Sequence, residues 1–183
     1  MNELRIYFEG DDRLRPGFRL FFSEIADAAR RKGWRFAPPI ATYRRPVQAF
    51  RIALQTHSNA WNVLLLDWED PNEAEIRKKN LENCDSDSVF WMVQIMESWF
   101  LADVDGALKA AFKGLNEAAV RGNPNVEEIP KADVLARLTK AAGGEYHKVK
   151  HGAKLLETID PERVRKAAPN CDRMFRLILA KLG

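Results

Sequence analysis

Four apolar residues in unbroken succession, Val63 to Leu66 within WNVLLLD, constrain this chain more than any other feature. Side chains of a strand point alternately to opposite faces, so a half-exposed strand alternates apolar with polar positions. A strand without alternation is covered on both faces, as in a parallel sheet sandwiched between helices. Neighbouring segments agree. LRIYF, residues 4–8, is a short β-rich run, and SVFWMVQIM is an apolar run of strand length. WRFAPPIATY holds a further strand, kept to an edge or bulge because Pro38 and Pro39 cannot donate ladder bonds. Between them lie helical patterns. Phe18, Phe21, Phe22, Ile25 and Ala29 recur at helical spacing after Pro16 and stop at Gly33. Pro46 opens a helix with Val47, Phe50, Leu54 and His57 on one face. PNEAEIRKKN reads as an exposed helix, and ESWFLADVDGALKAAF passes into another. Strand and helix alternate four times, which predicts an α/β fold: a parallel sheet of about four strands with helices on both faces.

After residue 115 the texture changes. NEAAVRGNPNVEEIP is a loop, and the later signals are helical only, at 131–142, about 151–159, a turn from Asp160-Pro161, and 171–182. The expectation is an α/β domain over 1–115 with a C-terminal helical cap over 116–183 packed on it, since the cap is too short to hold much core alone. With 46% hydrophobic and 30% charged residues the chain has the composition of a soluble globular protein, and its net charge of +3 permits nucleic-acid contact without arguing for it. Cys84 and Cys171 stand in no metal-ligand spacing and read as free thiols in a reducing compartment. MNELRIYFEG meets charge too early for a secretory signal, and no apolar run approaches the roughly 20 residues of a membrane span. A cytoplasmic protein with no membrane partner is expected.

The chemistry concentrates where strands end. In an open parallel sheet, ligands bind outside the carboxyl ends of the strands. The first strand runs into Glu9, WNVLLLD into Asp67, Glu69 and Asp70, and SVFWMVQIM is followed by Glu97, with Gln94 beside it. Carboxylates that converge repel one another unless they share a proton or a cation. A hard divalent ion, Mg²⁺ or Mn²⁺, with oxygen ligands resolves that, and such an ion neutralises phosphate and activates water. The plainer alternatives are an N-cap for Asp67 or Asp70, a simple turn at Glu9-Gly10, and a helix-dipole acid for Glu97. Asp103 reads as a helix cap; Trp91, Trp99 and Phe100 read as core.

Cations complete the set. Arg13, Arg15 and Arg19 near Glu9, and Arg44 and Arg45 before the Pro46 helix, are phosphate-binding candidates or a solvated face. EYHKVKH gives a basic patch with His147, Lys148, Lys150 and His151, and Lys131 and Lys154 are nearby. His147 and His151 stand four apart, as in some zinc sites, but no third ligand supports zinc. They are read instead as substrate-binding, with Lys148 or Lys131 as a compact charge aimed at phosphate.

YFEG after the first strand and the D-x-E pattern of LLLDWEDP resemble the signature of the Toprim fold, the metal-binding module of topoisomerases, primases and overcoming-lysogenization-defect nucleases. RPGFRLFF, MVQIMESWFLAD, NPNVEEIPKADV and YHKVKHGAKLLE…IDPERVR extend the likeness over nearly the full length, to an uncharacterised bacterial family of small Toprim-like proteins. This resemblance implies that Glu9 stands at the Toprim glutamate and Asp67 at the first acid of the pair. Glu69 stands where many Toprim enzymes have aspartate. It further implies a Mg²⁺-dependent nuclease acting on DNA or RNA, with an ABC-type ATPase partner in anti-phage defence. The alternative is a non-catalytic subunit that binds nucleic acid or docks on the ATPase.

Overall fold

The computed structural model describes residues 2–68 and 71–183. In chain order the regular elements begin with β1 (Glu3–Phe8), α1 (Arg15–Phe21), α2 (Ser23–Arg31), β2 (Arg35–Phe36), β3 (Ile40–Ala41) and α3 (Pro46–Thr56). β4 (Ala60–Asp67), α4 (Pro71–Asn80) and β5 (Val89–Met92) follow. A short α5 (Lys109–Ala111) leads to α6 (Lys131–Ala141), α7 (Lys148–Thr158), α8 (Pro161–Ala167) and α9 (Pro169–Leu182).

Every strand pairing is parallel, in the order β2-β1-β4-β5, with β3 also on β1 beyond β2. The Pro38-Pro39 pair splits the edge segment into β2 and β3, each of two residues, because prolines leave the ladder unmade. From β1 the chain first winds towards β2 and β3, then returns past β1 to β4. The winding direction therefore reverses between β1 and β4, and a crevice opens at such a reversal.

The unbroken apolar run of β4 divides its side chains between two cores. Leu64 and Leu66, with Tyr7 of β1, face Phe50 and Ala53 of α3 and the nearby Leu81. Val63 and Leu65, with Leu4, Ile6 and Phe8, face Phe18, Phe21, Phe22 and Ile25 on the opposite side. Burial of each such side chain is worth about 1.5–3 kcal/mol. Along α3 the buried stripe runs through Pro46, Phe50 and Ala53, whereas Leu54 is 36% exposed. Small Ala53 takes the inward position at its turn and lets the helix lie close to the sheet.

SVFWMVQIM is strand only as far as Met92. Gln94 adopts a left-handed φ of 58°, which ends the ladder, and Met96–Ala102 forms a 3₁₀ helix. Glu97 therefore lies in that helix. Asp103 caps the π-helical turn that follows, accepting from the N–H groups of Gly106 and Ala107 at 3.0 and 3.2 Å, and it also accepts from Asp160 N and Arg163. Trp99 and Phe100 are fully buried, and Trp91 packs half-buried on the α3 side.

One buried cluster runs from Leu4 to Leu182 and joins the C-terminal helices to the sheet. Phe21 stacks on Trp99 at 4.8 Å and meets Phe175 of α9 edge-on at 5.6 Å. Glu127, also buried, receives Asn170 N and Cys171 N at the start of α9, and so caps that helix from a distant loop. α7 packs on α1 at Gly17, where a Cβ would stand 2.8 Å from Leu156. That close approach sets the start of α7 beside the carboxyl edge of the sheet.

Candidate functional site

Glu9 and Asp67 flank the reversal point. Phe8 pairs with Leu65, so Glu9 and Asp67 leave their strands side by side. Glu9 Oε2 accepts from Asp67 N at 3.1 Å, and Asp67 Oδ1 accepts from Met96 N at 2.9 Å. That second bond ties the end of β4 to the 3₁₀ helix carrying Glu97. A cleft of about 410 Å³ opens here, lined among others by Glu9, Asp67, Glu97, Arg13, Arg44 and Lys148. The Asp67 side chain is thus held from the segment that follows β5.

The carboxylates are crowded. Burial first, then the charges of Glu97 and Glu9, push the Asp67 carboxyl up to about 8, against the opposing pull of Lys148 and Met96 N–H. Glu97 is fully buried, with neither oxygen in a hydrogen bond among the described residues, and Lys148 Nζ forms an ion pair with it at 3.2 Å. The Tyr146 hydroxyl is also buried without a hydrogen-bond partner among the described residues, and burial together with Glu97 raises its pKa. Arg77 of α4 grips Glu9 with both guanidinium nitrogens, at 2.6 and 3.1 Å, and donates to Asp67 O at 3.0 Å. Among the described residues, no group of three or more His, Cys, Asp or Glu side chains is drawn close enough to hold an ion.

Glu9, Asp67, Glu97, Lys148, Arg13 and Arg44 are thus brought to one cleft, while Glu69 and Asp70 lie outside the described residues. Arg13 lines the cleft with its guanidinium tied to Asp11, and Arg15 is paired with Asp12. Arg19 lines a separate groove beside α2, and Arg45 a groove next to the cleft. Lys131 opens α6 and is not among the cleft residues.

The structure places His147 and His151, read as substrate-binding, at the start of α7. His147 Nδ1 caps α7 by accepting from Lys150 N at 3.4 Å, and His151 Nδ1 accepts from His147 N at 2.9 Å. Neither lines the cleft. The spacing of four that places them together serves a helix start, where free N–H groups need acceptors.

Sequence reasoning missed Arg77, because PNEAEIRKKN carries no apolar stripe and reads as exposed throughout. It also missed Tyr43, which lines the cleft with a left-handed φ of 49°. Tyr43 and Gln94 are the non-glycine residues with positive φ among those described, and both stand in loops at the carboxyl edge. Strained backbone of this kind gathers at functional sites.

No helix of the described residues is long and apolar enough to cross a membrane. No curated protein and no solved structure matches the chain. The match to a family model covers residues 12–178, a span that contains Asp67, Glu97 and Lys148 and begins just past Glu9, and the chain belongs to the family described as Domain of unknown function (DUF4276).

Proposed function

We propose that this cleft is the active site of a divalent-cation-dependent phosphodiesterase acting on DNA or RNA, built on a Toprim-like sheet. One observation carries the reading: carboxylates from three separate chain segments, two of them flanking the reversal point, open on one cleft together with Lys148 and Arg44. The donor set suits Mg²⁺ or Mn²⁺ in kind, being all oxygen with neither buried Glu97 oxygen in a hydrogen bond among the described residues, and the carboxylates would have to close up to share the ion. Glu9, Asp67 and Glu97 would hold the cation, with Glu69 and Asp70 as further oxygen donors in the same reading. When bound, the cation supplies a polarised phosphoryl oxygen and a more acidic water.

The remaining work falls to the chain. Asp67 must lose its proton to serve as a ligand, so cation binding releases protons and strengthens with pH up to about 8. Glu9 must exchange Arg77 for the cation. Lys148, exposed on its outer side, turns from Glu97 to the phosphate and offsets its developing charge. Arg44, with no ion-pair partner among the described residues, positions the substrate. The partner in this reading is an ABC-type ATPase and the setting anti-phage defence, as the family resemblance implies.

The test is cleavage of plasmid, linear DNA and tRNA by the purified chain, with and without the ATPase, in Mg²⁺ or Mn²⁺. Activity abolished by Asp67→Asn supports the assignment, and activity unchanged by it refutes the assignment. A non-catalytic subunit that binds nucleic acid or docks on the ATPase is the second reading. It is favoured by the ion pair that already satisfies Glu9.

A further inference from the structure

A second groove, of about 530 Å³, adjoins the cleft and is lined by Arg44, Arg45, Arg51, Arg77, Gln48 and Asn80, together with Pro46 and Val47. No carboxylate stands among the described residues that line it. Elsewhere the arginines are largely neutralised: Arg30 by Asp27, Arg121 by Asp105 and Glu117, Arg163 by Asp103, Arg165 by Glu24 and Asp172. For Arg45 and Arg51 in the groove the partners are neutral. Arg51 Nη2 donates to Asn80 O at 2.5 Å, and Arg45 Nη1 reaches Gln48 Oε1 at 3.5 Å. Arg44, Arg45 and Arg51 have no carboxylate partner among the described residues, so their charges around one groove repel one another until an anion enters. Guanidinium is the group best shaped to bind phosphate through paired N–H donors.

Two arginines join this groove to the carboxylates. Arg44 lines both cavities. Arg77 lines the groove while its guanidinium holds Glu9. We propose that the groove is a subsite for the sugar-phosphate backbone of a nucleic-acid strand, seating the phosphates that flank the one presented to the carboxylate cleft. This rests on the proposed phosphodiesterase reading for its direction, since the strand runs from the arginines towards Glu9 and Asp67. It also gives Arg77 a place as a positioning residue: a backbone phosphate in the groove competes with Glu9 for the same guanidinium. The groove contacts phosphate and not base edges, so binding is insensitive to sequence and sensitive to salt.

The experiment is fluorescence anisotropy of a short fluorescein-labelled DNA strand, its duplex and the matching RNA, in EDTA so that no cleavage is needed. The chain is compared with Arg45→Glu/Arg51→Glu, two exposed positions whose reversal leaves both cores intact, and folding is checked by circular dichroism. We expect the double variant to bind at least about tenfold more weakly. For a single strand, the slope of log K against log salt should be shallower by about 1.4, for two lost phosphate contacts. Asp67→Asn should bind as well as the native chain. Equal affinity and equal salt slope in the double variant would overturn the proposal. So would inorganic pyrophosphate binding in an Arg45- and Arg51-dependent way while all three oligonucleotides fail to bind. Oligonucleotide binding lost in the double variant, with no Asp67-dependent cleavage of any substrate, would leave the groove standing and remove the phosphodiesterase. Full Asp67-dependent cleavage by the double variant would do the reverse.

Discussion

Replacing Asp67 by asparagine separates the charge of the carboxylate cluster from its shape. The amide oxygen can still accept from Met96 N, which Asp67 Oδ1 does at 2.9 Å, so the tie between β4 and the 3₁₀ helix survives. What disappears is a titration. In the unfolded chain this carboxyl loses its proton near the ordinary 3.8, and in the folded chain near 8, because burial and the charges of Glu97 and Glu9 oppose ionisation. Between those values the folded state holds a proton that the unfolded state has released, so stability falls as pH rises through that window. At about 1.4 kcal/mol per pH unit the loss is at most about 6 kcal/mol. Asp67 keeps part of its surface in water, so about 3 kcal/mol is the working figure after solvent screening. Asp67→Asn should therefore match the native chain towards pH 4 and exceed it by about 3 kcal/mol at pH 8. Urea denaturation followed by tryptophan fluorescence across that range reads the difference directly. Added Mg²⁺ at pH 8 should raise the native midpoint and leave the variant unmoved, by mass action on the folded state alone. Parallel pH curves for the two proteins would refute the argument, since they would mean that Asp67 titrates in the fold as it does in the open chain.

Arg77→Met should strengthen Mg²⁺ binding in titration calorimetry, because Glu9 is then free of its guanidinium, while weakening oligonucleotide binding in the groove; weaker Mg²⁺ binding would refute the competition. Gly17→Ala should lower stability by about 1–3 kcal/mol in the same urea assay, although alanine favours helix by about 1 kcal/mol, because the added Cβ meets Leu156 at 2.8 Å. Glu127→Ala should cost about 2–3 kcal/mol by stranding the N–H groups at the start of α9, and Glu127→Gln should recover part of that loss.

The architecture was legible because periodicity survives in sequence. Val63–Leu66 without alternation demanded two covered faces, and the two clusters divide those side chains as that demand requires. Pro38 and Pro39 marked the edge by removing donors, and Asp103 announced a cap through its side-chain chemistry. The convergence of Glu9, Asp67 and Glu97 on one cleft was likewise legible, because parallel connection fixes which strand ends share an edge. What was hidden was long-range pairing. Nothing local marks Arg77 as the partner of a residue 68 positions away, or Glu127 as the cap of a helix 43 positions on. The histidine pair shows a related limit of spacing: four residues apart places two side chains together but does not say whether they meet a metal, a substrate or, as their Nδ1 atoms do, the helix's own N–H groups.

Without a cation the cluster is neutralised from within, by Arg77 on Glu9, Lys148 beside Glu97 and a held proton on Asp67. Each of these partners is in a position to leave. In the proposed reading Glu9 would leave Arg77 to serve a cation, and the guanidinium contact so released would be open to a phosphate in the groove. A phosphate in the groove claims Arg77 and leaves Glu9 as an unpaired carboxylate, which a cation satisfies. Each ligand removes the competitor of the other, so the two bindings must favour one another, and by linkage the factor by which phosphate backbone tightens Mg²⁺ equals the factor by which Mg²⁺ tightens the backbone. A site arranged in this way resists half-assembly: a cation alone would break the Arg77–Glu9 ion pair beside three other arginines, and a strand alone would leave Glu9 without that pair beside two further acids.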